Sequence, residues 1–505
     1  MENFDLERPL TQGDSTIQRN SVSSRSDEVP ALAICVRKLL WDSIPNVIYL
    51  LSFHLITTMN MLYVSNNAKE EDAADIIAGV GIAGTWISIT TLLIVISLNI
   101  GTSTLASQAY GSKNMELVGL YLHRSLILRL IGLVPSFILL YYCDDLLMFL
   151  GISARSVTYA GVYARACMPA VFLYTISDAI KSYITAHNIF TPVLYMQSVL
   201  VVVHFLLCEV LIRHMQLKFG GLGLAFFLSQ AVGVAMYSVY IIKYMPTEGS
   251  LFWFKKESFQ NLLPQLNEEV WIGLVVYIEW VCYEVMLILA GNLGDIELRS
   301  LIICYNLLTF LDMAGTGLGV TLTTYIASAM GEGSAEKVKQ YIRACLVISA
   351  VYIASVSALL LSSPGPLIRI FTNEPETVKL TTTLLTIEGF GFVFDIAQIM
   401  AVAVLKGIGQ EVEGTKFYIF SIFGWGVPIA YLLAFICKFG AVGLYCGITC
   451  GFIMMNFLCL RVLKTVDFRS QIAKINERIL YLSTTGEELK TIEMRSMKNI
   501  EENNQ

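Results

Sequence analysis

Charge is scarce in this 505-residue chain: Asp, Glu, Lys and Arg make up 15% of it, where soluble domains carry about a quarter. With 55% hydrophobic residues and a mean hydropathy of +0.64, the three or four soluble domains that the length would allow are excluded. The net charge of −6 sits in loops and tails and says little about partners. There is no basic tract, so nothing points to nucleic acid. The five histidines show neither H-x-x-x-H nor HExxH spacing, and no Gly-x-Ser-x-Gly occurs. An intramembrane enzyme would need such metal ligands or a nucleophile, so no enzyme and no cofactor is expected. Eleven cysteines include no C-x-x-C pair, and most lie within apolar stretches. They read as small buried hydrophobes rather than as a zinc site or a disulfide framework. The first 40 residues lack an apolar h-region, so the first span is expected to act as the targeting signal.

What the chain does have is a repeat. Lys218-Phe219-Gly220-x-x-Gly223-Leu224 returns 220 positions later as Lys438-Phe439-Gly440-x-x-Gly443-Leu444. The same offset aligns Gly111 with Gly331, Glu116 with Glu336 and Tyr121 with Tyr341. Several landmarks in one register imply an internal duplication, the way secondary transporters are built.

A bilayer core takes about 20 apolar residues per helix. That predicts an all-α polytopic membrane protein with twelve spans: 41–64, 77–100, 120–142, 158–180, 190–212, 221–243, 270–291, 297–325, 341–363, 381–405, 416–437 and 441–463. Six precede the polar stretch at 246–269 and six follow it. Six is even, so both halves enter the membrane in the same direction, and the two six-helix lobes should be related by a pseudo-two-fold axis along the membrane normal. The expected division is a disordered tail over 1–38, an N-lobe over 39–245, a cytoplasmic linker over 246–269, a C-lobe over 270–464 and a cytoplasmic tail over 465–505. In that tail Ile472, Ile475, Ile479 and Leu482 recur near helical spacing, which fits a short helix lying along the inner membrane face. Lys and Arg favour one side by about two to one, placing both termini in the cytoplasm. Glu7-Arg8-Pro9-Leu10 faintly resembles an acidic-leucine sorting signal, so the expected site is the plasma membrane or a vacuolar or lysosomal-type membrane.

The informative residues are the carboxylates within spans, each costing about 2.5–3.5 kcal/mol at the bilayer centre. Glu279 and Glu284 lie in span seven, Asp312 in span eight, Asp395 in span ten and Asp178 near one end of span four. No base is seen near the middle of these spans, so Glu279, Glu284 and Asp395 must face a wet cavity or one another. Such carboxyls suit proton uptake and release. Glu279 and Glu284 are five apart, about 140° around a helix, so both cannot point into one cavity. Asp395 and Gln398 share a face with Glu388, a polar stripe that runs toward Lys406. Asp178, one turn before Lys181, reads as half of a local ion pair at the membrane edge. Asp312 sits beside Gly315, Gly317 and Gly319, where irregular backbone could satisfy it. Aromatic residues such as Tyr283, Tyr305, Phe394 and Trp425 could offer π-faces to a cation.

At these residues the chain resembles the multidrug and toxic compound extrusion (MATE) family, in its eukaryotic branch. Thr104-Leu105-x-x-Gln108-Ala109-Tyr110-Gly111 is similar to the family's TL-x-x-QAYG signature. Glu279-Trp280-x-x-Tyr283-Glu284 resembles EW-x-x-YE, and Phe394-Asp395-x-x-Gln398 with Leu405-Lys406-Gly407-x-Gly409-Gln410 resembles the span-ten signature. The similarity covers residues 38–463. It implies an outward-facing V of two bundles that exports cationic drugs, metabolites or organic anions against a proton or sodium gradient. It also implies that Glu279, Glu284 and Asp395 carry the coupling proton or the substrate's charge. Tyr305-Asn306 departs from the family, whose members often have a carboxylate at the second position.

Together these readings predict a monomeric proton-coupled antiporter for small organic cations or metabolites, with Glu279, Asp395, Glu284, Gln398, Tyr283 and Asn306 as site residues. Sodium coupling is the alternative within transport. A lipid-precursor flippase would call for a basic cavity, and a major-facilitator transporter for a Gly-Asp-Arg type loop after span two. That loop reads Gln-Ala-Tyr-Gly-Ser-Lys.

Overall fold

In a bilayer only helices or closed barrels satisfy every backbone group. A computed structural model describes residues 29–67, 73–149, 154–362 and 364–483, and among these there is no strand. The N-lobe comprises α1 (Leu32–Asn67), α2 (Ala73–Ile87, continued through a π-helical turn to Leu93–Gly111), α3 (Met115–Tyr141), α4 (Ala154–Ala186), α5 (Thr191–His214) and α6 (Lys218–Lys243). The C-lobe comprises α7 (Leu262–Gly291), α8 (Asp295–Gly331), α9 (Ala335–Ser362), α10 (Pro375–Gly407), α11 (Glu411–Ile436) and α12 (Gly440–Thr465). Short helices at Cys143–Phe149 and Pro364–Arg369 follow α3 and α9 in matching places, and α13 (Phe468–Ser483) closes the described chain. Eleven of the twelve long helices are apolar enough to cross a membrane. The other, α4, is 33 residues long but carries Arg165, Asp178 and Lys181.

Two expected boundaries move. α1 begins at Leu32, inside the stretch assigned to a disordered tail, and α7 begins at Leu262, inside the expected linker. The helix expected on the membrane face is α13, but its buried residues pack on the ends of α2, α3, α8 and α9. The sorting-signal candidate at Glu7 to Leu10 lies outside the described residues.

The duplication is visible where the lobes cross. A Cβ on Gly111 would lie 1.9 Å from the Ser328 carbonyl oxygen, and one on Gly331 would lie 2.0 Å from that of Gln108. Ser328 is 220 positions beyond Gln108, as Gly331 is beyond Gly111, so the contact is reciprocal. Residue i touching j while j touches i is the mark of a two-fold axis. The turns beyond match too. Lys113 and Gly333 both take left-handed φ, at 62° and 77°. Asn114 N–H donates to Ala109 and Ser334 N–H to Ala329, both at 3.0 Å. Gly331→Ala must therefore displace backbone, and overpacking of this kind costs about 1–3 kcal/mol. The expected result is a clear fall in the thermal melting point. Gly365→Ala, which meets open space, should leave it unchanged.

The longest repeated string is in a different register. α6 starts at Lys218, whereas Lys438 is in the left-handed turn before α12 (φ 61°). The residue in that conformation before α6 is Gln216, 222 positions earlier. Leu217 N–H bonds Leu211 and Phe439 N–H bonds Leu433 at the same spacing, and the fully buried Leu222 and Leu444 follow it. The two Lys-Phe-Gly triplets are thus two residues out of structural step, because the turn geometry and the buried leucines set the register.

Candidate functional site

α1, α2, α4, α7, α8, α10 and α12 line a cavity of about 210 Å³ between the lobes. It reaches Leu287 and Leu301, beside the α7–α8 turn, and ends short of the Gly111–Gly331 crossing. The described termini, near Leu32 and Ser483, share that closed end. Lys38 lies over the Tyr325 ring, and the Leu482 carbonyl accepts from Arg124.

The C-lobe wall holds Glu279, Asp312, Glu388 and Asp395. α10 places Glu388, Asp395 and Gln398 on one face, as their spacing requires. All three are buried. Gln398 joins two acids: its Nε2 donates to Glu279 Oε1 at 3.2 Å and to Asp395 Oδ1 at 3.3 Å. Asp395 is only 3% exposed. Asn456 of α12 donates to the Phe394 carbonyl at 2.7 Å, tying this stretch of α10 to its neighbour. Asp312 Oδ1 is buried on the same wall without a hydrogen-bond partner. α8 is an unbroken helix there, so the glycines nearby supply no irregular backbone for it. Among the described residues no ion pair reaches any of these four acids. Lys406, three turns beyond Asp395, lines the cavity and acts electrostatically on Glu279.

On the N-lobe wall the one acid is paired with two bases. Asp178 accepts from Lys181 at 3.0 Å, Arg129 at 3.4 Å and the Tyr49 hydroxyl at 2.7 Å. Asn99 donates to its backbone carbonyl at 3.3 Å. Lys181 Nζ also lies 3.1 Å from the Tyr49 ring centroid. Asp178 is therefore in the lobe's interior, facing the cavity, rather than at the membrane edge. The i,i+3 pair with Lys181 exists, but Arg129 of α3 completes it from another helix.

Of the other expected residues, Tyr283 lines the cavity with its ring 5.5 Å from that of Tyr305. Glu284 is not among the lining residues, in keeping with its angular distance from Glu279. Asn306 is exposed, donating to the Ile302 carbonyl at 2.9 Å, and does not line the cavity. Arg129 and Glu269 escaped the sequence reading. Arg129 is a base inside the apolar run of α3, five residues beyond Arg124, a signal that was available. Glu269 was assigned to the linker, yet it is fully buried, and its Oε1 accepts from Thr102 and Gln265 at 2.9 and 2.8 Å.

A model of the MatE family matches residues 49–210 and again residues 272–432. The chain belongs to the MatE family. The double match falls once in each lobe of this MatE chain, as the reciprocal crossing requires. Protein DETOXIFICATION 16 of Arabidopsis thaliana is 28% identical over 429 residues, spanning 84% of this chain and 86% of the relative. Multidrug and toxin extrusion protein 1 of Mus musculus is 26% identical over 420 residues, spanning 82% and 72%. The crystal structure of the eukaryotic MATE transporter AtDTX14 superposes with a TM-score of 0.82 at 21% identity, covering 89% of this chain and 99% of that one. This MatE protein is thus an integral multi-pass membrane transporter of the eukaryotic type, not an enzyme.

Proposed function

We propose that this MatE transporter exports organic cations or cationic metabolites in exchange for protons, by alternating access. The observation that carries this is the acid cluster of the C-lobe wall, with Asp395 and Glu279 joined through one Gln398 amide. Four carboxyl groups line that wall with Lys406 as its one lysine, while the opposite wall has already spent its acid on Lys181 and Arg129. A cation entering between the lobes therefore meets its counter-charge on the C-lobe side. Tyr283 and Tyr305 offer it ring faces. Protons and cations compete for the same carboxyls, and that competition is the reciprocal linkage an exchanger needs. On the Lys and Arg bias that favours cytoplasmic termini, the closed end would face inward and the cavity outward, as expected of a state that loads protons and releases substrate.

The test is transport into proteoliposomes containing the full chain, with a quaternary ammonium ion as probe. An imposed pH gradient alone should drive exchange, and sodium alone should not. Exchange that follows the sodium gradient and ignores pH would replace the proton with sodium. No flux of the cation under either gradient would remove the cation reading.

A further inference from the structure

α13 is amphipathic: Gln471, Ile475, Ile479 and Leu482 recur three or four apart and are buried. It lies across the closed end, and both lobes hold it. On the C-lobe side, Arg478 pairs with Glu268 of α7 and with Glu411 of α11. On the N-lobe side, its Nη2 donates to Gln108 Oε1 of α2 at 2.8 Å. A second arginine works in the opposite sense. Arg124 of α3 donates through Nη1 to the Leu482 carbonyl at 2.9 Å and through Nη2 to that of Glu257 at 3.2 Å. A planar guanidinium has donors enough to reach three partners in different directions, which an ammonium on a flexible stem does less well. Gln108 is also the residue whose carbonyl meets Gly331 at the lobe crossing. The Arg478–Gln108 bond therefore spans the seam that must part before the closed end can open.

We infer that α13 is an inter-lobe strap and that Arg478 is its gate residue, a positioning group that keeps this end shut while the cavity faces the other side. The inference rests on the alternating-access reading. Opening toward the closed end requires Arg478 to leave Gln108 while remaining with Glu268 and Glu411, since those two carboxylates would otherwise face each other without a base. The strap then travels with the C-lobe. Arg478→Leu removes both the seam bond and the counter-charge, whereas Gln108→Ala leaves the ion pairs in place and removes the seam bond together with a second inter-lobe bond, from Gln108 Nε2 to the Gly407 carbonyl at 3.5 Å. The second is the cleaner variant.

The experiment uses the full-length chain in lipid nanodiscs, with spin labels on unnatural amino acids at Glu116 and Glu336. These are exposed positions of α3 and α9, one per lobe and 220 apart, and each makes only a surface ion pair. Pulsed dipolar spectroscopy should give one dominant short distance for the parent. Gln108→Ala and Arg478→Leu should each add a longer one, raising the open-to-closed ratio at least about tenfold, the scale of losing a hydrogen bond to a charged group. Arg478→Lys, which keeps the charge without the fork, should fall between. Where Arg478→Leu does not fold, Gln108→Ala decides alone. Unchanged distances in Gln108→Ala, and in a chain ending at Val466, would overturn the strap. The distances need no substrate or gradient. A shifted distribution beside absent proton-driven flux would therefore fault the antiport reading and leave the strap standing.

Discussion

Asp395→Asn is expected to abolish proton-driven exchange and to weaken cation binding at least about tenfold, a loss of about 1.4 kcal/mol. Both effects come from one atom pair. Asp395 Oδ1 shares the Gln398 amide with Glu279, so the amide satisfies the carboxylate in part, and a cation must complete it. The asparagine keeps the shape and can still bond Gln398, but it cannot ionise. The measurement is counterflow of a quaternary ammonium probe in proteoliposomes, with affinity followed across pH. Affinity in the parent should fall as protons compete, and in Asp395→Asn it should be weak and much flatter with pH. Retained affinity with the parent's pH dependence would return Asp395 to the role of a packing residue between α7 and α10.

Glu279→Gln should be the other large loss, with a signature of its own. Glu279 accepts from Gln398 and lines one cavity with Lys406. Neutralising it removes a charge from the cavity that Lys406 shares, and residues coupled through a shared cavity interact by about 0.5–3 kcal/mol. The variant should therefore lose coupled transport and also melt earlier. Lys406→Gln in the same background should recover stability without recovering transport, because it removes the lysine's charge but does not restore the acid. A double-mutant cycle on melting free energies reads the coupling directly. Additive effects would show that Lys406 and Glu279 do not act as a pair. Glu284→Gln, outside the cavity lining, should be much milder than either.

The sequence carried the acids well and their partners poorly. Glu279 and Asp395 could be read because a carboxylate in an apolar run has few explanations, and Gln398 because it sits one turn from Asp395. The stripe from Glu388 toward Lys406 was legible for the same reason. What brings Gln398 to Glu279 or Arg129 to Asp178 is contact between helices, and one-dimensional spacing contains no such information. Asn306 was proposed from a departure in the family pattern, yet α8 turns that residue away from the cavity. The repeat illustrates a further limit. The Gly111–Gly331 register survives in three dimensions because backbone passes backbone there, and side chains larger than hydrogen do not fit. The Lys-Phe-Gly register does not survive, because turn geometry and the buried leucines, rather than the identity of three letters, align α6 with α12.

The reciprocal glycine contact also has a mechanical side. From Gly331 back to Asp295, α8 is 37 residues of continuous helix, about 55 Å of lever at 1.5 Å per residue. The lobes also meet at Gly273 against Ser97 and at Gly317 against Val47, which leaves the stretch from Gly317 back to Asp295, about 33 Å, as the free arm, and a rotation of about 10° swings its end by about 6 Å. The cavity mouth can therefore widen by the breadth of an organic cation while atoms beside the fulcrum barely shift. Capture and release on that side need no parting of the seam.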